Sequence, residues 1–143
     1  MRAGSVAQYS LERVQVSSHD WERTWAMWLH LSTFLAALGL PLMPAWALWM
    51  LRRRESALID DHGRECLNQQ LSNLIIGLAG FLLSLCGFGL LLIGAAMVLA
   101  AWSAIAGAMA AKQGRLYRSP MTWRLIAPAV IPSALITPTS GVS

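Results

Sequence analysis

The densest set of side chains that could do chemistry lies at Asp60–Asn73, where a polar stretch leads into an apolar one. His62 and Cys66 are four residues apart, so on a helix they share a face and have a spacing that can hold a metal. No third histidine or cysteine is near them in sequence, so we predict neither a metal nor a cofactor. The alternatives are a solvated first turn, hydrogen bonding between helices, or contact with a substrate or peptide. This candidate polar patch comprises His62, Glu65, Asn68, Gln69, Gln70 and Asn73.

His30 is the second candidate, because an ionisable residue inside an apolar segment is a functional hypothesis by default. A neutral imidazole there could instead bond to Ser32, Thr33 or a neighbouring amide, which would be a structural role. No carboxylate lies within the apolar segments, so a proton-coupled transporter would lack its usual relay. The chain also lacks a Ser/His/Asp arrangement, a phosphate-binding glycine loop and a zinc-protease motif, and we predict that it is not an enzyme.

Apolar helices must position these side chains, because the 46 residues from Cys66 to Ala111 include no Lys, Arg, Asp or Glu. One helix of this length would run about 69 Å, roughly twice the thickness of a bilayer core. The glycines of Cys86-Gly87-Phe88-Gly89 offer a turn. We therefore predict an all-α integral membrane protein with three transmembrane helices. A tight hairpin joins the second and third, near Leu67–Gly87 and Leu90–Ala111.

The first predicted span, near Trp25–Leu51, lies in another uncharged segment of 28 residues. Tryptophans at both of its ends are typical of residues that anchor a helix in the membrane interfaces. Pro41 and Pro44 interrupt the segment, so we predict a kink near Leu40. The alternative is a split into two re-entrant halves, each too short to cross.

Composition supports the membrane assignment and a bilayer environment. The chain has 143 residues, of which 56% are hydrophobic and 13% charged, against about 25% charged in ordinary soluble domains. Its formal net charge is +4, but the basic residues cluster at the ends of the apolar segments. That placement follows the positive-inside rule, so we predict that the chain does not bind nucleic acid.

The same rule predicts a multi-pass protein of the inner (cytoplasmic) membrane, with the N-terminus outside and the C-terminus in the cytoplasm. The basic residues of the segment before the hairpin and of the tail after it outnumber those of the N-terminal segment. We divide the chain into a polar N-terminal segment (1–24), a three-span membrane domain (25–126) and a proline-rich, mobile tail (127–143).

The third predicted helix carries two ladders of small residues at four-residue spacing. Small residues let the backbones of membrane helices approach closely. We predict that one ladder packs against the chain's own spans and that the other meets a partner protein or a second copy. The candidate packing residues are Ala100, Ser103, Ala104, Gly107 and Ala111.

Three sequence elements resemble the bacterial domain of unknown function 4870 family, small membrane proteins distantly similar to the chloroplast import component Tic-twenty. They are Trp28-Leu29-His30-Leu31-Ser32, the stretch Asp61–Gln70, and the tail element Ala111–Pro120 with Gly114, Tyr117 and Pro120. Gln69 departs from the family pattern, which has Phe after the Asn. The resemblance covers about Trp25–Ile126 and implies a helical integral membrane protein without an established activity.

Two functional hypotheses follow from these patterns. The favoured one is a non-catalytic interaction or accessory subunit of a membrane assembly. The alternative is a component of a transporter or protein-translocation path lined by the amides and His30. A solute path usually needs several polar groups at mid-membrane, whereas those of this chain gather near one interface.

Overall fold

The computed structural model of the chain describes residues 14–16, 18–120 and 122–138, and most of these residues are helical. This confirms the predicted helical class. The helices are α1 (Asp20–Leu31), α2 (Met43–Arg52), α3 (Ala57–Leu83) and α4 (Gly89–Lys112), with 3₁₀ turns at Ser32–Leu38, Ser84–Cys86 and Ser133–Leu135. Two short strands, β1 (Val14–Val16) and β2 (Ile136–Pro138), pair antiparallel, which the sequence did not predict.

Helices α3 and α4 form the predicted hairpin, and the turn falls at the predicted glycines. Gly87 has φ +84°, a left-handed conformation that glycine adopts without strain. Gly80 and Gly89 let the two helices touch, since a Cβ on Gly89 would lie 1.9 Å from the carbonyl oxygen of Gly80. Helix α3 begins at Ala57, ten residues before the predicted Leu67, because the Ser56 hydroxyl caps it by accepting from the Ile59 N–H at 3.4 Å.

The predicted first span, Trp25–Leu51, is not one continuous helix. The chain leaves α1 through the 3₁₀ turn, passes Gly39 at φ +85° and Leu42 at φ +67°, and returns as α2. The two helices lie antiparallel, and the indole Nε1–H of Trp25 donates to the carbonyl oxygen of Leu48 at 3.0 Å. The alternative of two short halves therefore describes this segment better than a kinked helix does.

Two helical segments of the described chain, Ala57–Cys86 and Gly89–Lys112, are long and apolar enough to cross a membrane. The three-span prediction is therefore not confirmed. In each segment only 22% of the most apolar 18-residue stretch is buried, whereas the core helix of a soluble protein would be mostly buried. Leu85 and Phe88, at the hairpin turn, are 92% and 71% exposed. The outer part of this hairpin is an uncovered apolar surface.

The two ends of the described chain meet. The Val16 N–H donates to the carbonyl oxygen of Gly114 at 2.8 Å, and Val16 is the register partner of Ile136. The predicted placement of the two ends on opposite sides of a membrane is thus not confirmed, although residues 1–13 lie outside the described residues. Ile131, Leu135 and Ile136 of the tail pack against a small core. The mobility predicted for 127–143 stays a prediction, but residues 127–138 include packed positions.

Candidate functional site

A buried cluster of polar side chains lies where α1, α3 and α4 meet the segment after α4; we call it the polar core. It contains most of the predicted polar patch, His30, and several residues that the sequence analysis did not select. Its members are His30, Thr33, Asp61, His62, Glu65, Cys66, Asn68, Gln69, Gln70, Ser72, Ser103, Tyr117, Arg118 and Ser119.

Two histidines on different helices form the centre of the polar core. His30 Nε2 and His62 Nδ1 are 2.9 Å apart, and His62 Nε2 is 2.9 Å from the carbonyl oxygen of Arg115. A carbonyl can only accept, so His62 carries its proton on Nε2 and, when neutral, accepts from His30 Nε2–H through Nδ1. His30 Nδ1 is then a bare acceptor, and it has no hydrogen-bond partner among the described residues.

Gly107 of α4 lies directly against the ring of His30. A Cβ at this position would lie 2.4 Å from both Cε1 and Nδ1 of the imidazole. The backbone of α4 therefore approaches α1 only because residue 107 has no side chain. The ring of Tyr117 meets His30 edge-on from another side, with centroids 5.7 Å apart. These contacts enclose the histidine pair and leave it fully buried.

An ion pair fixes the segment after α4 to the start of α3. Arg118 donates from Nη1 and Nη2 to the two carboxylate oxygens of Asp61, each at 2.6 Å, in bidentate geometry. The Asp61 side chain is 1% exposed and that of Arg118 is 14% exposed. Burial alone would lower the pKa of Arg118, but the hydrogen bonds and charge of Asp61 outweigh it and hold the pKa above its usual value.

Glu65, one turn further along α3, and Ser103 of α4 hold the same segment. Glu65 accepts from the backbone N–H of Ser119 at 2.6 Å. Ser103 donates to the Ser119 hydroxyl at 2.8 Å, so its own oxygen accepts from the Tyr117 hydroxyl, also at 2.8 Å. Burial raises the pKa of Tyr117, and the bond to Ser103 only partly offsets this, so the phenol stays neutral near pH 7.

Asn68 binds the backbone of the segment after α4 in the way that a neighbouring β-strand would. Its amide donates to the carbonyl oxygen of Ile126 and accepts from the N–H of Ile126, both at 2.7 Å. Ser72, one turn later on α3, accepts from the Trp123 N–H at 2.8 Å. Asn68 and Ser72 thus hold the extended segment after α4 along α3 through hydrogen bonds to its backbone.

A third group joins the α1–α2 turn to α3. Gln70 accepts from the backbone N–H of Leu42 at 2.7 Å and donates to the Thr33 hydroxyl at 3.3 Å. The Cys66 thiol donates to the carbonyl oxygen of Leu29 at 3.2 Å. These bonds satisfy polar groups at a turn that is otherwise surrounded by apolar side chains.

Gln69 and Asn73 are the remaining residues of the predicted polar patch. Gln69 donates to the carbonyl oxygen of Ala100 at 3.3 Å, and its Oε1 has no partner among the described residues. Asn73 lines a groove of about 340 Å³ between the α1–α2 turn, α3 and α4, beside Phe34, Pro41 and Met97. No group of three His, Cys, Asp or Glu side chains that could hold a metal occurs in the described ranges.

Both small-residue ladders of α4 face the chain itself. Ala104 and Ala108 are buried, as are Ser103, Gly107 and Ala111, while Ala100 is half-buried beside α3. The ladders therefore fit packing against α1, α3 and the tail, and neither is left for a partner, contrary to the reasoning from sequence. Of the tail-element residues, Gly114 has φ +67° and accepts from Val16, Tyr117 joins the polar core, and Pro120 is exposed at a turn.

Sequence reasoning missed Asp61, Arg118 and Ser119 as parts of the site. Asp61 lies inside α3, whose N-terminus is capped by Ser56. No local spacing marks a pair so far apart in the chain. The one available signal was the charge of Asp61 itself, next to a long uncharged segment, since a carboxylate at such a place needs a partner.

Comparison with known families gives one finding. The family described as "Magnetosome magnetite crystal formation protein family" has a model that matches residues 21–126, about three quarters of the chain. No curated protein and no solved structure matches. The predicted resemblance to the domain of unknown function 4870 family and to Tic-twenty is therefore wrong, although the residues that suggested it all lie within the matched range.

Proposed function

Because this chain belongs to the magnetosome magnetite crystal formation protein family, we propose that it is a non-catalytic accessory protein of the magnetosome membrane. In this role it supports magnetite crystal formation by shaping or organising the membrane around the growing crystal. The alternative of a translocation path has less support, because His30 and most of the amides that would line it are bonded inside the polar core.

The observation that carries this proposal is the division of the molecule into a closed polar core and an exposed apolar surface. The shortest hydrogen bonds of the core connect α3 to the segment after α4 and to the α1–α2 turn, so they fix the fold. The outside presents large apolar side chains along α3 and α4. A protein built in this way offers surfaces to lipid and to other proteins.

The surface that we propose for a protein partner in the membrane is the outer face of α4, which carries large apolar side chains because its small residues face inward. Trp102, Ile105 and Met109 are 68%, 49% and 58% exposed, and their spacing of three and four places them on one helical stripe. A tryptophan surrounded by smaller apolar residues is a typical anchor of a protein interface.

The test is deletion of this chain in a magnetosome-forming cell, followed by measurement of crystal size and shape by electron microscopy. We expect altered crystals, restored by the wild-type chain, and a fluorescent fusion that localises to magnetosomes. Unaltered crystals, or a fusion located elsewhere in the cell, would overturn the proposal. The Trp102→Ala/Ile105→Ala variant tests the partner contact, with Leu78→Ala, exposed on α3, as the matched control.

A further inference from the structure

We infer that the chain enters the bilayer from one side only. In this arrangement the α3–α4 hairpin crosses, the α1–α2 hairpin dips in and returns, and both ends of the described chain face the same compartment. The partner of the exposed apolar surface outside the Trp102, Ile105 and Met109 stripe is then lipid hydrocarbon, and the partner of the charged end is the headgroup layer of a single leaflet. The inference rests on the proposed membrane role and specifies how it is achieved.

The Lys, Arg, Asp and Glu residues of the described chain gather toward one end of the helix bundle, which we call the charged end. Arg124 lies furthest from this end, because its neighbour Trp123 binds Ser72 of α3. These residues occur in four places: the start of α1, the end of α2 with the following loop, the first turns of α3, and the segment from Lys112 to Arg124. Direct contacts join the four places. The Arg52 guanidinium lies 5.9 Å from the Trp21 ring, and Arg118 binds Asp61.

The opposite end of the molecule has no charge. Neither the turn between α1 and α2 nor the turn between α3 and α4 contains a charged residue. At the second turn Leu85 is almost fully exposed and Phe88 is largely exposed, which is costly in water and favourable in or near hydrocarbon.

The two hairpins differ in reach. From Cys66 to Cys86, α3 and its final turn advance about 30 Å at 1.5 Å per residue, which matches the hydrocarbon thickness of a bilayer. Helix α1, with 12 residues, advances only about 18 Å. Its turn meets α3 at Gln70, which bonds to Leu42 and Thr33. Beyond Leu74 the α3–α4 hairpin continues with many exposed apolar side chains.

A three-span arrangement would require α1 and α2 to run on as one helix, with Trp21 and Arg52 at opposite membrane surfaces. The contacts of Arg52 with Trp21 and Trp25 and the bond from Trp25 to Leu48 exclude this in the folded chain. Where the chain turns inside a membrane, its backbone N–H and C=O groups must form hydrogen bonds with the protein itself, because no water is present there. Gln70 does this for the N–H of Leu42. By the positive-inside rule, the charged end faces the cytoplasm.

The experiment is cysteine labelling in sealed vesicles, using a Cys66→Ala/Cys86→Ala background and a membrane-impermeant maleimide. Single cysteines are placed at exposed positions as Asp20→Cys, Arg54→Cys, Lys112→Cys and Leu40→Cys. Each signal is normalised to labelling after detergent is added. We expect the first three to react from the same side and Leu40→Cys, in the α1–α2 turn, to be protected from both sides.

Labelling of Asp20→Cys from the side opposite to Arg54→Cys would overturn the inference and restore three spans. Labelling of Leu40→Cys from that opposite side would also overturn it, since the first hairpin would then cross. Alkaline carbonate extraction separates this failure from failure of the membrane role. If the chain remains in the membrane, only the one-sided insertion is lost, whereas release from the membrane removes both proposals.

Discussion

The carboxylate of Asp61 and the guanidinium of Arg118 bind each other through two parallel hydrogen bonds of 2.6 Å, across 57 positions of sequence. Asp61 stands in the second turn of α3, and Arg118 follows the end of α4. The pair thus connects the beginning of the long hairpin to the segment that leaves it.

Removing one partner of this ion pair leaves a buried charge without compensation. We expect Arg118→Leu to lower the free energy of unfolding in mild detergent by about 3–5 kcal/mol. The double variant Asp61→Leu/Arg118→Leu removes both charges and should cost clearly less than Arg118→Leu alone. Thermal unfolding followed by circular dichroism gives both values. Arg54→Leu, at an exposed arginine, is the control, and equal losses in the single and double variants would contradict the prediction.

Gly107→Ala should destabilise the chain, because the new methyl group would overlap the imidazole of His30. Overpacking of this kind costs about 1–3 kcal/mol. Gly94→Ala, on the same helix, is the matched control, since no atom lies within 4 Å of its added Cβ. The double variant His30→Ala/Gly107→Ala should recover part of the loss. A loss that persists unchanged in the double variant would show that the ring is not the obstacle.

Asn68→Ala should release the tail from α3. The substitution leaves the N–H and the carbonyl of Ile126 without their partner, at a cost of about 1–3 kcal/mol. Trypsin cleavage at the nearby Arg124 should then be faster, by about 5- to 150-fold if cleavage follows local opening. Asn73→Ala changes an amide on the same helix that lines the groove and should leave the rate unchanged. Equal cleavage rates in both variants would contradict the role of Asn68.

The two cysteines should differ in their reaction with a thiol reagent. Cys86 is exposed at the hairpin turn, whereas Cys66 is buried and donates to the carbonyl oxygen of Leu29. In mild detergent, N-ethylmaleimide should therefore add one label to each folded chain, at Cys86. Mass spectrometry counts the labels, and denaturation in SDS should raise the number to two. Rapid labelling of Cys66 in the folded chain would mean that the α1–α3 contact opens easily.

The α3–α4 hairpin was predictable because its signals are local. An uncharged run of known length and a glycine pair set the hairpin and its turn within a few residues. The α1–α2 hairpin was not predictable, because its segment has the length of one membrane span and its prolines indicated a kink in a single helix. The turn is favoured over a kinked helix because Gln70, a side chain on another helix, forms hydrogen bonds with residues of the turn.

For the candidate site, the sequence identified many of the polar residues but not the groups to which they bind. His30, His62, Glu65, Asn68 and Gln70 were selected because polar groups beside an apolar run must be bonded, and each is bonded within the chain. His30 binds the side chain of His62, whereas the partners of the other four include backbone groups of the segment after α4 and of the α1–α2 turn. A backbone group has the same chemistry at every residue, so no sequence pattern could specify which one is bound.

The pairing of β1 with β2 also affects how the protein can be made. During synthesis, the strand that contains Val16 leaves the ribosome long before Ile136, its register partner, exists. The membrane hairpins can form while the chain is still growing, but this pairing can close only after translation has passed residue 138. The join between the two strands is therefore a late step of maturation, and a nascent chain arrested earlier would carry β1 without its partner strand.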